Sequence, residues 1–332
     1  MGARLESRRV PTFCRHNRFI ENCTICSRDL PGGSPRDRAG ARSGAARPRA
    51  ASNTRTREAR PRADGLKVRR ETRATDDGYR SGLVPGLRAS ADAQRLADEI
   101  AFANARLITL GEHPPGTYAV ARDEPHLEQG SWTALLTVYL SPLEHEDDPF
   151  RSIRQALTSW SSGELPDLAD LELGPRTSHD PARGAETLVA YRQWAERGGS
   201  QQAALAGDDA WSPSRRFDRA FERLGLPGLT RAARFDLLVT LGRLGLYELE
   251  ADSLQLIGDD PVTVAAKRVF GIGDRPNLER RARALSEAIE VPLAALDLGL
   301  ANWAAPERMT LGLPATIADE AAVQRGRDAL DI

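Results

Sequence analysis

The sequence has little cysteine, and all of it lies near the N-terminus. Only three cysteines occur among 332 residues, at positions 14, 23 and 26. An odd number of cysteines in one short stretch argues against a disulfide framework. Clustered cysteines in a chain without a secretory leader more often bind a metal ion. The N-terminus is therefore a candidate metal site.

Long apolar runs are also missing. No stretch approaches the roughly 18 consecutive apolar residues that would suggest a membrane span. The first ten residues, MGARLESRRV, contain no apolar segment of the kind found in a secretory signal. We therefore expect a cytoplasmic protein with no membrane partner, and association with the nucleoid is left open.

Aromatic residues make up only 5% of the chain, and several enzyme motifs are absent. There is no Walker loop, no dinucleotide-binding glycine pattern and no serine-hydrolase elbow, so nucleotide-dependent kinases and serine hydrolases are poor candidates. Hydrophobic residues reach 40%, enough for a sizeable core. Ala, Leu and Arg are abundant and favour helices over strands, which predicts an all-α body.

Four residues near the N-terminus have the spacing of a zinc site: Cys14, His16, Cys23 and Cys26. Thiolate and imidazole ligands suit tetrahedral zinc, and the Cys-x-x-Cys turn supplies two ligands from one knuckle. Four protein ligands leave no open position, so we expect the zinc to be structural. The alternative is three free cysteines and a chance histidine. A further alternative is that the knuckle docks a protein partner.

Charge is unevenly distributed along the chain. Residues 1–70 carry 18 Lys and Arg against 6 Asp and Glu, whereas the remainder is net acidic. A basic N-terminal arm of this kind, here residues 1–70, is expected to bind a polyanion, first of all nucleic acid. The alternative is that the arm is only a solvated tether. Residues 29–66 contain almost nothing apolar and predict a disordered basic linker. The predicted organisation is a zinc knuckle at 1–28, this linker, and a helical body at 67–325.

Apolar spacing and capping residues place the helices of the body. The segment 111–120 is predicted to be a loop, and Ser90 is predicted to cap the first helix. For 131–140 the β-branched content leaves a strand as the alternative. The predicted helices cover 91–110, 131–140, 147–161, 186–198, 213–225, 230–245, 275–290 and 291–304, and a further helical segment, 259–273, includes the glycine turn at its end.

A glycine-containing turn separates two of these helices. The sequence Val269-Phe270-Gly271-Ile272-Gly273, within a hairpin near 267–276, has the pattern of a helix-hairpin-helix core. Its glycines would let backbone amides approach a DNA phosphate. An ordinary tight turn is the alternative. Asp297 follows by one helix, at about the distance of the essential aspartate in helix-hairpin-helix DNA glycosylases. Its alternative is a helix residue that meets solvent or an arginine.

Further sequence segments point to one family related to the helix-hairpin-helix DNA glycosylases. DDGYRSGLVPGL, AYRQWAERGGSQ, RRFDRAFERLGLPGLTRAARFDLLVTLG, AAKRVFGIGD and LDLGLANW together resemble the alpha-glutamyl/putrescinyl thymine pyrophosphorylase family, clade three. The resemblance extends over about 70–320. It implies a fold like that of the helix-hairpin-helix DNA glycosylases. It also implies chemistry on a 5-hydroxymethyl thymine-type base through a pyrophosphorylated hydroxymethyl group, with DNA as partner.

This resemblance suggests roles for individual residues. The candidate catalytic residues are Asp297, Lys267, Arg216 and Arg219. The candidate DNA-binding residues are Gly271, Gly273, Arg275 and Arg223. The arginines of 215–223 share a helix with acidic residues, so a solvated face with ion pairs is the alternative reading.

The chain departs from the glycosylase pattern at two points. Asp274-Arg275-Pro276 occupies the place where bifunctional glycosylases have a Schiff-base lysine, and Lys267 precedes the hairpin, so a lyase reaction is not expected. The iron–sulfur cysteines of some relatives are absent as well. Two alternative functions follow: a non-catalytic, zinc-containing DNA-binding protein, or a base-excision DNA glycosylase that uses Asp297.

Overall fold

The computed structural model describes residues 74–313 and 320–332, and the account of the fold is confined to them. The expected zinc knuckle and basic linker lie outside the described residues. The described part contains helices and no strand, so the all-α prediction is confirmed there. No helix in it is both long enough and apolar enough to cross a membrane.

Twelve α-helices make up the described part of the chain. They are α1 Ser90–Glu112, α2 Gly116–Asp123, α3 Leu127–Leu140, α4 Arg151–Gln155, α5 Glu186–Arg197, α6 Gln201–Ala206, α7 Pro213–Arg223, α8 Arg231–Arg243, α9 Pro261–Phe270, α10 Arg275–Ala288, α11 Leu293–Ala304 and α12 Glu320–Leu330. A short 3-10 turn, Pro181–Arg183, precedes α5.

Helices α1, α3, α8 and α11 form the centre of the fold. Helix α1 packs along α11 and also contacts α8 and α12, while α3 packs on α8. The α1–α11 crossing is close, because a Cβ on Gly299 would lie 2.9 Å from the Ile100 side chain. Helix α3 is apolar on all sides and buried from Gly130 to Leu140, as expected of a central helix. The strand alternative for this segment is therefore wrong.

Most predicted helices are confirmed, and their ends follow capping chemistry. Thr230 accepts a hydrogen bond from the Ala233 amide and begins α8, and Asp260 accepts one from Val262 and begins α9. Helix α5 ends at Gly198, as predicted. The short helix α6 was missed, and so was α12, which begins inside the predicted body and continues past its end at 325.

Two predicted stretches of backbone were wrong. Segment 111–120 is not a continuous loop, because α1 continues to Glu112 and α2 begins at Gly116. Pro115 directly precedes α2, a position where its missing amide hydrogen costs no helical hydrogen bond. Helix α4 ends at Gln155 rather than Ser161, since the backbone beyond it bonds to side chains instead. The Trp160 amide donates to Gln129 at 2.6 Å, and Arg192 donates to the Trp160 carbonyl at 3.0 Å.

Ser90 is not the cap of α1. Ala89 occupies that position, and the Ser90 amide donates to the Asp77 carboxylate at 3.0 Å. Hydrogen bonds from the Ser90 side chain and backbone hold the pKa of Asp77 below its usual range. The carboxylate that caps α1 is thus that of Asp77, thirteen residues before Ser90. A capping pattern in the sequence covers only the few residues next to the helix end, so it does not reveal this partner.

Candidate functional site

A cluster of five charged side chains lies within the helical body and joins a loop to three helices. Arg176 comes from the loop before α5, Arg231 and Asp236 from α8, Asp260 from the start of α9, and Asp297 from α11. All five are at most 19% exposed in their side chains. We call these five residues the charged cluster.

Arg176 is held by two carboxylates. Its Nε donates to Asp236 Oδ2 at 2.7 Å and its Nη2 to Asp236 Oδ1 at 3.1 Å, a two-pronged pair. Nη2 also donates to Asp297 Oδ1 at 2.8 Å. Burial alone would lower the pKa of Arg176, but Asp236 and Asp297 outweigh that effect and raise it. Arg176 therefore carries its positive charge at any working pH.

Arg231 binds the other side of Asp297. Its Nη1 pairs with Asp297 Oδ2 and lies 3.8 Å from Asp260 Oδ1. Its remaining donors go to the carbonyl oxygens of Leu254 and Gln255. Burial raises the pKa of Asp260, the Arg231 charge opposes that shift, and the Asp297 charge adds to it. The cluster holds two positive and three negative groups, which leaves it with an excess of negative charge.

Arg176 and Arg231 were missed by the sequence analysis. Arg231 carries a usable signal, because a cation in the first turn of a helix opposes the helix dipole and suggests a carboxylate partner elsewhere. Arg176 lies in a polar loop with no periodic pattern, so no comparable signal marks it. For Asp297, the structure matches the alternative in which the carboxylate meets an arginine.

The predicted catalytic residues lie in separate places. Asp297 is 1% exposed and is enclosed by Arg176 and Arg231. On α7, Arg216 pairs with Glu248 at 2.5 Å and donates to the Asp209 carbonyl. Its neighbour Arg219 is half-exposed and pairs with Glu222 at 2.9 Å. These three residues and the half-buried Lys267 on α9 share no hydrogen bond or ion pair with one another in the described part of the chain.

The predicted hairpin joins α9 to α10. Gly271 ends α9 with φ +82°, a conformation that favours glycine, and Gly273 adopts an ordinary one. Between them Ile272 is 98% exposed, more than any other large apolar residue described. Asp274 caps α10 by accepting a hydrogen bond from the Asn277 amide at 3.1 Å. The hairpin thus presents an apolar side chain on a short, well-anchored turn.

The predicted DNA-binding arginines are exposed but not free. Arg275 donates to Gln255 Oε1 at 3.1 Å and lies 3.8 Å from Glu279. Arg223, the last residue of α7, lies over the ring of Trp211, with its guanidinium carbon 5.9 Å from the ring centre. Arg275 therefore belongs to the hairpin surface, whereas Arg223 belongs to the surface around Trp211.

The segment around Gly86, before α1, packs against the backbone of the hairpin. The Gly86 amide donates to the Val269 carbonyl at 2.9 Å. A Cβ at Gly86 would lie 2.1 Å from the Arg268 carbonyl oxygen and 2.9 Å from the Gly271 nitrogen. Beside this contact is a cavity of about 270 Å³, lined in part by Arg88, Arg268 and Trp303. Glycine is required at position 86 because the two backbones nearly touch.

The expected zinc ligands, Cys14, His16, Cys23 and Cys26, lie outside the described residues. Within the described ranges there is no cluster of three or more metal-ligating side chains. The knuckle therefore stays a prediction of the sequence.

Comparison with known proteins identifies one family. Residues 175–311, less than half of the chain, match the family model described as alpha-glutamyl/putrescinyl thymine pyrophosphorylase clade 3, which confirms the resemblance seen in the sequence. No curated protein and no solved structure matches the chain. The matched range begins one residue before Arg176 and contains the whole charged cluster and the hairpin.

Proposed function

We propose that this protein modifies a thymine-type base in DNA, acting on a 5-hydroxymethyl derivative through its pyrophosphorylated form. The observation that carries the proposal is the match of residues 175–311 to the thymine pyrophosphorylase clade. The same range holds the buried charged cluster and the exposed hairpin. DNA is the partner in this proposal.

The reaction is a displacement at the methylene carbon of the base. An amine, of glutamate or putrescine, forms a C–N bond as the C–O bond to pyrophosphate breaks. Pyrophosphate leaves, and the amine gives up one proton. A protein that catalyses this step must expose the base, accept negative charge on the leaving group and take the proton. Arginine side chains suit the second task because their planar donors match phosphoryl oxygens.

Within the charged cluster, the exposed fractions suggest different roles. Asp236 is the most accessible of the three carboxylates, at 19%, and is our candidate to take the proton, on a lone pair that its two bonds to Arg176 leave free. Asp297, at 2%, is better suited to hold Arg176 and Arg231 in place than to touch the base. We therefore propose Asp297 as a positioning residue. Lys267, Arg216 and Arg219 remain candidates for phosphoryl contacts once DNA is bound.

The hairpin is proposed to hold the DNA strand, as in helix-hairpin-helix DNA glycosylases. Its exposed backbone between Gly271 and Gly273 can approach a phosphate, and Arg275 adds positive charge beside it. Ile272 can contact bases or sugars in a groove, since apolar side chains often enter DNA in this way. The basic arm at 1–70 would add sequence-independent affinity.

The test uses the full chain and a short duplex that carries one pyrophosphorylated 5-hydroxymethyl base. We expect pyrophosphate release that depends on added putrescine or glutamate. Asp236→Asn should lose most of this turnover and keep its affinity for DNA. Asp180→Asn is the control, because its carboxylate is exposed outside the hairpin and the charged cluster, and asparagine caps a turn as well as aspartate does. If wild type releases no pyrophosphate with either amine, the proposed reaction is wrong.

A non-catalytic DNA-binding protein is the second candidate. The observation that favours it is that every carboxylate oxygen of Asp236 and Asp297 already lies against an arginine. A binder of this kind would show steeply salt-dependent affinity for DNA and no turnover in the assay above. The two candidates thus share their binding behaviour and differ in pyrophosphate release.

A further inference from the structure

Two arginines of α7 lie over one tryptophan and have no anionic partner. The guanidinium carbon of Arg215 is 5.2 Å from the centre of the Trp211 ring, and that of Arg223 is 5.9 Å from it. Both arginines are exposed, and neither makes a hydrogen bond or an ion pair with the part of the chain that the structure describes. Two positive charges are thus held beside the same ring without a counter-charge.

Most arginines that lie over aromatic rings in this protein also donate hydrogen bonds. The acceptors are carbonyl oxygens, a hydroxyl group or carboxylates, and the residues concerned are Arg106, Arg192, Arg231, Arg234 and Arg308. Their stacking completes a contact inside the fold. Arg215 and Arg223 differ from them, because their donors point to no acceptor among the described residues.

Trp211 fixes the two guanidiniums on the surface of α7. It lies just before the helix, is half-buried, and packs so closely on Gly207 that a Cβ there would lie 2.6 Å from its ring. A guanidinium that is already stacked on a ring loses less freedom when it binds an anion, which favours binding. Because the ring is occupied by two guanidiniums and the Gly207 backbone, we expect this surface to bind phosphates and not to stack on bases.

Arg219 adds a third positive charge to the same side of α7. Positions 215, 219 and 223 follow one another at intervals of four, which places them along one face of a helix. Arg219 pairs with Glu222 at 2.9 Å, but both side chains are more than half exposed, and such a pair contributes only about 0–1 kcal/mol. Asp208 and Asp209, which precede the helix, form no ion pair with these arginines in the described ranges.

This side of α7 is connected to the hairpin through Gln255. The Gln255 side-chain amide donates to Asp218 of α7 at 2.5 Å, and its oxygen accepts a hydrogen bond from Arg275 of α10 at 3.1 Å. Gln255 is 7% exposed, so the connection is a packed contact. Helix α7 and the first turn of α10 are therefore neighbours, and one DNA molecule can contact both.

We propose that Trp211, Arg215 and Arg223 form a second DNA-binding surface, which binds the phosphate backbone of duplex DNA next to the part bound by the hairpin. The inference rests on the proposed function, in which DNA is the partner. Guanidinium groups suit phosphates because their planar donors match the phosphate oxygens. Since every base pair carries the same phosphates, this surface binds DNA of any sequence.

The experiment measures the affinity of the full chain for a labelled, unmodified duplex by fluorescence anisotropy over a range of sodium chloride concentrations. Arg215→Gln and Arg223→Gln should each weaken binding severalfold on duplexes of unrelated sequence. Each should also reduce the slope of log affinity against log salt by about 1, because one phosphate contact no longer releases counterions. Arg197→Gln is the matched control, since Arg197 on α5 is exposed, has no ion pair in the described part and lies over no ring.

A second pair of variants tests the role of the ring. Trp211→Leu keeps both arginines and removes the aromatic surface on which they lie. We expect weaker binding with an unchanged salt slope, because the phosphate contacts still form but the guanidiniums are no longer held in place. Trp211→Phe keeps an aromatic ring and should recover part of the affinity. Urea unfolding of each variant shows whether the fold is intact.

Three results would overturn this surface. The first is wild-type affinity and salt slope in both arginine variants, and the second is an equal loss in Arg197→Gln, which would mean a general effect of net charge. The third is a loss confined to one duplex sequence, which would contradict a backbone contact. If wild type does not bind duplex DNA, the proposed function fails as well. If wild type binds and the arginine variants match it, only this surface is wrong.

Discussion

Arg176 and Asp297 are hydrogen-bonded at 2.8 Å between Nη2 and Oδ1, with side chains only 7% and 2% exposed. The bond joins the loop before α5 to α11, 121 positions apart in the sequence. Arg231 binds the other oxygen of Asp297 and so connects α8 to the same carboxylate. A carboxylate in this position fixes three elements of the fold at once.

Asp297→Asn should be strongly destabilising. The amide cannot neutralise Arg176 and Arg231, and removing one partner of a buried ion pair typically costs about 3–5 kcal/mol. The free energy of unfolding in urea measures the effect. The double variant Asp297→Leu with Arg231→Met, which removes charges of both signs, should recover part of the loss. A fully stable Asp297→Asn protein would show that the carboxylate is not needed to balance the arginines.

Gly86→Ala should disturb the hairpin. The added methyl group would meet the backbone of Arg268 and Gly271, which cannot move aside as a flexible side chain can. We expect a loss of roughly 1–3 kcal/mol in stability, typical of overpacking, and weaker DNA binding. Gly82→Ala is the matched control, since a Cβ there meets nothing within 4 Å. Equal behaviour of the two variants in urea unfolding would contradict the close backbone contact.

Ile272→Ala should weaken DNA binding without changing stability. The side chain is 98% exposed, so the fold gains nothing from it. If it becomes buried against DNA, losing its outer carbon atoms costs roughly 1 kcal/mol, about a fivefold loss of affinity. Fluorescence anisotropy with a labelled duplex measures this. Ile108→Ala, at a 45% exposed position on α1, is the control. Unchanged affinity in Ile272→Ala would remove the hairpin tip from the DNA contact.

The stability contributed by Asp260 should depend on pH. Burial raises its pKa in the folded state above the ordinary value of 3.8, so the folded protein holds this proton more tightly than the unfolded chain. Stability from this group is present at low pH and is lost as pH rises through the folded pKa. Asp260→Asn removes the titration and keeps a capping side chain for α9. Urea unfolding should therefore favour the variant increasingly as pH rises from 4 towards 7; a constant difference would contradict the shift.

The N-terminal zinc knuckle stays a prediction, and metal analysis tests it. The purified full chain should hold one zinc ion, bound by Cys14, His16, Cys23 and Cys26. Cys26→Ser should lose the zinc, because the Cys-x-x-Cys turn supplies two of the four ligands. A full chain without zinc after purification in zinc-containing medium would leave three unligated cysteines.

The sequence predicted most helices because their signals are local. Thr230 and Asp260 directly precede α8 and α9 and cap their first turns, and Gly198 directly follows α5 as its C-terminal cap. The errors arose where distant side chains decide the backbone. Asp77 caps α1 from thirteen residues away, and Gln129 binds the Trp160 amide across 31 positions. No periodic pattern records such contacts.

The candidate site was predictable only in part, for the same reason. The spacing from the hairpin singled out Asp297, but its partners Arg176 and Arg231 stand 121 and 66 positions before it, and ion pairs between buried groups leave no local pattern. The arginines of α7 attracted attention because they cluster in the sequence. In the structure Arg219 pairs with its neighbour Glu222 and faces solvent.

The central claim is tested most directly by mass spectrometry of the nucleosides from a duplex with one pyrophosphorylated 5-hydroxymethyl base, after incubation with the full chain and putrescine. The account predicts a new nucleoside in which the putrescine nitrogen has replaced the oxygen on the methylene carbon, and far less of it with Asp236→Asn. Recovery of the starting nucleoside alone, or the appearance of abasic sites in place of a substituted base, would contradict it.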